Sequence, residues 1–261
     1  MSSEKKVAIV TGSATGLGAA AALMLAEKGW NVVINYTKSL KEAQETEAAC
    51  RKAGADTLLA QGDVAEDADC RAIVEATVKK WGRVDGLINN AGTSVFNNHA
   101  NLEGVNKDDF LRIYSVNVVG GYQMVRACAP HMKKQGKGAV VNISSIAGVM
   151  GIGSSVPYAA SKGALNTMTL SLARALGPEI RVNGVCPGFI QSRWLRTGLG
   201  DKTYEALKKS QEETTPLRHA STPEDMAEVA VWLLAGAGNV TGEIIMADAG
   251  AHLAGAPLKG R

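Results

Sequence analysis

Val7-Ala8-Ile9-Val10-Thr11-Gly12-Ser13-Ala14-Thr15-Gly16-Leu17-Gly18 passes from an apolar, β-branched run through a glycine-rich turn into an alanine-rich stretch. Periodicity predicts a strand over 7–10 and a helix over 17–29, with Gly29 as the C-terminal stop. Glycines at 12, 16 and 18 permit a tight turn and let the backbone approach a bound diphosphate. The helix that follows offers unpaired N–H groups and the positive end of its dipole to the same anion. Many α/β proteins carry a glycine turn, and what adds meaning here is its place between a first strand and a first helix. The loop closes on Gly16-Leu17-Gly18 rather than Gly-Lys-Ser/Thr, which argues against a P-loop kinase or ATPase.

Outward from this stretch, short apolar runs alternate with longer amphipathic ones. Further strands are expected over 32–34, 57–61, 84–88, 139–143, 180–185 and 243–246, and helices over 39–53, 66–81, 107–135, 156–176 and 222–235. Strand–helix–strand repetition with continuous Val/Ile strands means a parallel sheet covered on both faces. The expected architecture is a doubly wound, Rossmann-like α/β fold of about seven strands, with residues 1–261 forming one dinucleotide-binding and catalytic domain. Residues 188–215 show no clear periodicity, and so long a stretch in a compact domain reads as a lid over a site.

Composition agrees with a globular protein: 46% apolar and 20% charged residues, with 5% aromatics and 29 glycines. A net charge of +3, with lysines scattered as at Lys79–Lys80 and Lys208–Lys209, does not suggest nucleic-acid binding. Cys50, Cys70, Cys128 and Cys186 form no C-x-x-C pair, and Cys128 with His131 has no second cluster, so no metal site is expected. They read as free thiols of a reducing compartment. No signal sequence is evident, nor any run of about 18 apolar residues, so a cytoplasmic location away from membranes is expected.

Tyr158 and Lys162 stand four apart in a predicted helix and share one face. An ammonium beside a phenol favours the phenolate and is expected to lower its pKa from about 10. Ser154, Ser155 and Pro157 read as the helix start, which would bring the positive dipole end to the same phenol. A phenol tuned in this way can trade a proton with an alcohol or carbonyl. A tyrosine beside a lysine is, alone, an ordinary surface pair. The neighbours change that reading: Ser144-Ser145, Asn89-Asn90-Ala91-Gly92 and Pro187-Gly188 each follow a predicted strand. Ligands of open parallel sheets collect beyond the carboxyl ends of the strands, so three such ends converge on one site.

The spacing T-G-x-x-x-G-x-G, with Asp63-Val64, Asn89-Asn90-Ala91-Gly92, Asn117, Ser145, Tyr158-x-x-x-Lys162 and Pro187-Gly188, spans nearly the whole chain. Together these motifs resemble the short-chain dehydrogenase/reductase family in its single-domain branch, and most of all its 3-oxoacyl thioester reductases. The resemblance implies hydride transfer between a nicotinamide dinucleotide and a secondary alcohol or ketone. It implies Tyr158 as general acid for reduction and base for oxidation, and Ser145 as hydrogen-bond donor to the reacting oxygen. Lys162 would lower the tyrosine pKa and hold the nicotinamide ribose, and Asn117 would position a water linking Lys162 to solvent. The implied cofactor cradle comprises Gly12, Ser13, Thr15, Gly16, Leu17 and Gly18. Asp63 would hold the adenine amino group with Val64 beside the ring, and Asn90, Ala91 and Gly92 would pack along the cofactor. Pro187, Gly188, Ile190 and Ser192 would lie toward the nicotinamide, the last two reaching its carboxamide. Ser192 stands where many relatives carry Thr, and Asp248-Ala249-Gly250 where the family usually reads Asp-Gly-Gly. A homo-oligomer, tetramer or dimer, is implied by the resemblance alone.

NAD-binding chains place an acid at the end of the second strand to hold the ribose 2′-OH. Here that point reads Asn35-Tyr36-Thr37-Lys38, and no Asp or Glu occurs between Glu27 and Glu42. Tyr36 stands where the acid would fall, while Thr37 and Lys38 offer a hydroxyl and a cation for a 2′-phosphate. The reading favours NADP(H) over NAD(H), although Thr15 stands where many NADP-using relatives carry a basic residue. Two other functions share parts of this pattern. A non-catalytic dinucleotide sensor would typically lose Tyr158 or Lys162, and a sugar-nucleotide epimerase would have other glycine spacing and a larger C-terminal domain. Trp194 and Leu195 either line a hydrophobic substrate site or pack the lid. His99 reads as a loop residue near the site, and His131, His219 and His252 as surface residues without a partner. Asp248 reads as a turn or interface residue. The identity of the small-molecule substrate rests on 94–101 and 189–212, which follow no motif.

Overall fold

The computed structural model describes residues 5–253. Seven strands pair in the order β3-β2-β1-β4-β5-β6-β7: β1 (Val7–Val10), β2 (Asn31–Tyr36), β3 (Thr57–Gln61), β4 (Gly86–Asn89), β5 (Gly138–Ile143), β6 (Ile180–Pro187) and β7 (Ile244–Ala247). Every pairing is parallel. That arrangement suits strands β1, β4 and β5, whose residues are all buried. The helices are α1 (Gly16–Glu27), α2 (Leu40–Lys52), α3 (Asp67–Trp81), α4 (Lys107–Tyr114), α5 (Gly121–Lys134), α6 (Ala147–Met150), α7 (Val156–Leu176), α8 (Arg193–Leu199), α9 (Asp201–Thr214) and α10 (Pro223–Ala235).

One face of the sheet packs on α1 and α10 around Leu25, Ala227 and Val231. The other packs on α3, α5 and α7 around Ile73, Met124 and Ala173. β1 pairs with both β2 and β4, so the chain winds outward in both directions from this point and leaves a crevice beyond the ends of β1 and β4. The expected doubly wound α/β fold is therefore the observed one, and each expected strand is present to within about two residues.

Two segments differ from the sequence reading. The helix expected over 107–135 is α4 and α5 joined by a π-helical turn, Ser115–Gly120, that carries Asn117. A hydrophobic period does not reveal one extra residue in a turn, and such turns gather at functional sites. The stretch 188–215 contains helices α8 and α9. Gly198 and Gly200 interrupt it, and α9 buries Tyr204 alone, so no amphipathic stripe marked it as helical. These helices have a small core of their own, in which Phe189, Tyr204 and Ala220 pack with Leu195 and Leu207.

Ala249 closes the turn after β7 at φ 56°, in the left-handed region. There a Cβ is strained, and glycine at this position would not be. Ala249→Gly is expected to stabilise the fold by about 0.5–1 kcal/mol, strain relief outweighing the added freedom of the unfolded chain. The variant should melt roughly 2 °C above wild type in a calorimetric scan.

Candidate active site

The glycine loop and the segment after β4 are stitched together by hydrogen bonds. The Asn90 amide donates from Nδ2 to the carbonyls of Thr11 (2.9 Å) and Gly12 (3.0 Å). In return the Thr11 hydroxyl accepts from the backbone N–H of Asn90 and of Ala91, each at 3.0 Å. A Cβ on Gly18 would lie 2.5 Å from Asn90 Nδ2 and 2.7 Å from the Gly12 oxygen, so only glycine lets α1 start this close. From the other side Asn35, buried at the end of β2, accepts from the Gly12 N–H and donates to the carbonyls of Ala60 and Gly62. Neither Thr11 nor Asn35 was singled out as a site residue. Thr11 lay inside the quoted motif, whereas nothing in sequence separates a buried Asn from a loop one.

Whether these residues suit a dinucleotide is tested by the start of α1. Its first turn holds no acidic residue, and Thr15 makes no side-chain cap. By contrast α4 and α10 are closed by capping boxes from Asn106 and Thr222. The N–H groups of α1 are thus available to an anion, and a Cβ on Gly16 would meet nothing within 4 Å. The cradle fits a diphosphate. Ser13, expected among the cradle residues, turns its hydroxyl into the sheet, donating to the Val10 carbonyl at 2.7 Å and accepting from the Asn35 N–H. Its side chain is therefore unavailable to a ligand, and Leu17 is buried as well. Thr15, Thr37 and Lys38 are exposed, and Tyr36 half-buried, on the same side. Asp63 is exposed, its carboxylate accepting from the Ala65 N–H at 3.0 Å, with buried Val64 beside it.

Beyond β5 and β6 the catalytic candidates come together. Ser155 caps α7 by accepting from the Tyr158 N–H, with Pro157 in the first turn, as the sequence suggested. The Ser145 hydroxyl accepts from the Ala147 N–H at 3.1 Å and reaches the Pro187 carbonyl only at 3.5 Å. Its proton is weakly held and free to turn elsewhere. Ser145 also acts on the Tyr158 phenol as a hydrogen-bond partner. Lys162 is buried, donates from Nζ to the Ile143 carbonyl at 2.8 Å, and stands 5.6 Å from the centre of the Tyr158 ring. Asn117 sits behind them with its side chain fully used: Oδ1 accepts from the Thr93 N–H, and Nδ2 donates to the Thr93 carbonyl and to Ser161 Oγ. The Ser192 hydroxyl caps α8, accepting from the Leu195 N–H at 3.2 Å and keeping its own proton to donate. Pro187 is buried at the end of β6, where Gly188 and Ile190 begin the segment leading to α8.

The electrostatics differ from the expected tuning. Protein packed around the phenol pushes Tyr158 up to about 12, against a smaller lowering by the Ser145 hydrogen bond. Burial likewise pulls Lys162 down to about 8. The ammonium was expected to lower the phenol, but it is directed at a carbonyl and lies over the ring face, and desolvation dominates both groups.

Trp194 and Leu195 divide the two roles weighed for them. Leu195 packs in the small lid core, while Trp194 lies against Tyr158 with ring centres 6.1 Å apart. Two histidines read as partnerless have partners: His219 Nε2 meets Asp225 at 2.6 Å, and His252 Nδ1 meets buried Asp248 at 2.8 Å. Asp248 also accepts from the N–H groups of Gly250 and His252, which makes it a turn residue. Among the described residues no helix is long and apolar enough to cross a membrane.

Residues 12–252 match the family model described as Enoyl-(Acyl carrier protein) reductase. A Streptomyces violaceoruber protein named "Granaticin polyketide synthase putative ketoacyl reductase 2" is 40% identical over 250 residues, covering 96% of this chain and 97% of its own. The 3-oxoacyl-[acyl-carrier-protein] reductase FabG of Staphylococcus aureus is 31% identical, covering 95% and 98%. A solved structure described as a short-chain dehydrogenase/reductase of Burkholderia xenovorans superimposes with a TM-score of 0.89 at 42% identity, covering 96% of this chain and 99% of that one. The chain belongs to the short-chain dehydrogenase/reductase family. It is thus an oxidoreductase of a family that uses nicotinamide dinucleotides and acts on CH–OH and C=O groups.

Two outcomes follow from this geometry. Asn117→Ala leaves the N–H and carbonyl of Thr93 unpaired and removes one of the two hydrogen bonds of the Ser161 hydroxyl, and should cost about 1–3 kcal/mol in denaturant unfolding. Lys162 binds a proton more weakly folded (about 8) than its ordinary 10.5, so charging it opposes folding below about 8, and that penalty fades as pH rises toward 10.5. Lys162→Met should therefore melt above wild type at about pH 7, with the gap narrowing toward about pH 10.

Proposed function

We propose that the protein catalyses reversible hydride transfer between NADP(H) and a secondary alcohol or ketone, with Tyr158 as the proton donor and acceptor. The observation carrying this reading is the cluster of Ser145, Tyr158 and Lys162 at the strand ends beside a cradle that fits a dinucleotide. The bound nicotinamide supplies or accepts the hydride. In reduction Tyr158 passes its hydroxyl proton to the carbonyl oxygen as that oxygen gains charge, and Ser145 donates a hydrogen bond to the same oxygen. In oxidation the phenolate takes the proton back. Lys162, when protonated, would favour that phenolate and hold the nicotinamide ribose. With the Asn117 side chain committed to Thr93 and Ser161, any water it holds would be held by its backbone carbonyl.

Gly12, Thr15, Gly16, Leu17 and Gly18 would receive the diphosphate through the backbone, Asp63 and Val64 the adenine, and Asn90, Ala91 and Gly92 the middle of the cofactor. Pro187, Gly188, Ile190 and Ser192 would take the nicotinamide, under a lid formed by 188–215. For NADP(H) over NAD(H), no Asp or Glu lies between the end of β2 and Glu42, and the Asn35 amide is spent on the Gly12 N–H and the carbonyls of Ala60 and Gly62. Lys38 is exposed and has no ion-pair partner among the described residues. Phe110, Leu111, Val119, Tyr122 and Leu170 expose large apolar surface on the helices 107–134 and 156–176, which supports a homo-oligomer built through them.

Tyr158→Phe should remove turnover by a factor of 10³ or so while leaving NADPH affinity near wild type. Wild type should show a KM for NADPH at least about tenfold below that for NADH, and Lys38→Ala should narrow that ratio. Retained turnover in Tyr158→Phe, or a lower KM for NADH, contradicts the corresponding part.

A further inference from the structure

The site has a mouth whose chemistry is unusually one-sided. Trp194, at the start of the lid, stacks in a tilted geometry between Phe96 (5.2 Å between ring centres) and Tyr158 (6.1 Å). These three rings come from three elements: the segment after β4, α8 and α7. A Cβ on Gly198, one turn along α8 from Trp194, would run into the Phe96 ring, so the lid is seated on Phe96. Despite these contacts Trp194 remains 45% exposed. Part of the indole surface is therefore open beside the Tyr158 phenol. The segment that follows Ser145 also exposes apolar side chains, at Val149, Met150 and Ile152.

Charge is missing from this rim. Neither 89–102 nor 145–156 contains a Lys, Arg, Asp or Glu. Of the five cations in 188–215, Arg193 pairs with Glu42, Arg196 with Asp201 and Glu205, Lys208 with Glu212 and Lys209 with Glu213, while Lys202 lies on α9. A carboxylate or phosphate on a substrate would find no cation on 89–102 or 145–156. Most polar side-chain groups of 94–101 are already hydrogen-bonded within the segment or to 153–154, the Asn98 Nδ2 excepted. Ser94 Oγ lies 2.6 Å from Ser154 Oγ. Asn97 Nδ2 donates to the carbonyls of Asn98 and Asn101. Asn98 Oδ1 accepts from the Ala100 N–H, and His99 Nε2 meets the Gly153 carbonyl at 3.2 Å. A polyhydroxylated substrate would have to break these bonds to be held.

We infer that the substrate is a neutral, ring-bearing ketone or its secondary alcohol, lying flat on Trp194 with its oxygen at Ser145 and Tyr158. This rests on the reading of Tyr158 as the proton donor. A planar ring gains both buried area and offset stacking from the indole face. An acyclic ketone gains neither, and an anionic or sugar-like ketone pays for desolvation without a partner.

The test compares kcat/KM with NADPH for 1-tetralone, 2-pentanone, acetoacetate and a ketose, in wild type, Trp194→Ala and Trp194→Phe. Wild type should prefer tetralone over each of the others by at least about tenfold. Trp194→Ala should lower kcat/KM for tetralone roughly ten- to fiftyfold, chiefly through KM, and change 2-pentanone less than about threefold. Trp194→Phe should recover most of the loss. Equal loss on tetralone and 2-pentanone would mean that Trp194 only seats the lid and would overturn the inference, as would a preference for acetoacetate or the ketose. Those results leave the Tyr158 chemistry standing. No ketone reduced by wild type, with NADPH still bound, rejects both readings.

Discussion

One side-chain amide joins the two halves of the functional crevice. Asn90 Nδ2 bridges the carbonyls of Thr11 and Gly12, and the Thr11 hydroxyl answers by holding the N–H groups of Asn90 and Ala91. The sheet brings β1 and β4 side by side, but the loops beyond them would diverge without these bonds. Because they close, the start of α1 and the segment leading to Thr93 keep fixed positions. Asn117 then ties Thr93 to Ser161 on α7, one residue from Lys162. Two sets of hydrogen bonds, joined by the short main-chain link from Ala91 to Thr93, thus connect the glycine loop with α7, and none of them depends on an exposed side chain.

The surrounding protein disfavours the charged forms of Tyr158 and Lys162 alike. The phenol is raised and the amine lowered for the same reason, the loss of water around them. For carbonyl reduction this is no handicap, since the phenol is wanted in its protonated form. Oxidation needs the phenolate and must draw on positive charge nearby. A buried lysine that loses its proton near pH 8 can serve as a donor as well as a fixed charge, because both of its forms are populated close to neutrality. Its retention at an energetic cost fits the general trade between activity and stability at active sites.

Much of this was visible in the sequence because the deciding features are local. Strand–turn–helix succession, the glycine spacing and the four-residue step from Tyr158 to Lys162 are all read within a few residues of chain. The features that stayed hidden depend on long-range contacts. The inward turn of Ser13 is decided by Asn35, more than twenty residues on. Asp248 stands only four residues before His252, yet its role as partner depends on a turn closed by a left-handed Ala249. The sign of the Tyr158 shift does not follow from the helical spacing, since proximity along a helix says nothing of how much protein surrounds a group. The π turn at Asn117 escaped notice because its flanks keep an ordinary helical pattern.

Helices α8 and α9 share a core of their own, Phe189, Tyr204 and Ala220 with Leu195 and Leu207, apart from the two layers that hold the sheet. In evolutionary terms the protein is modular. Mutations on the outer surface of α8 and α9 are judged by that small core and by whatever ligand they touch, while the hydrogen-bonded chemistry beneath them goes unaltered. Selection can therefore explore new substrates by drift in one helical pair without first dismantling an inherited reaction.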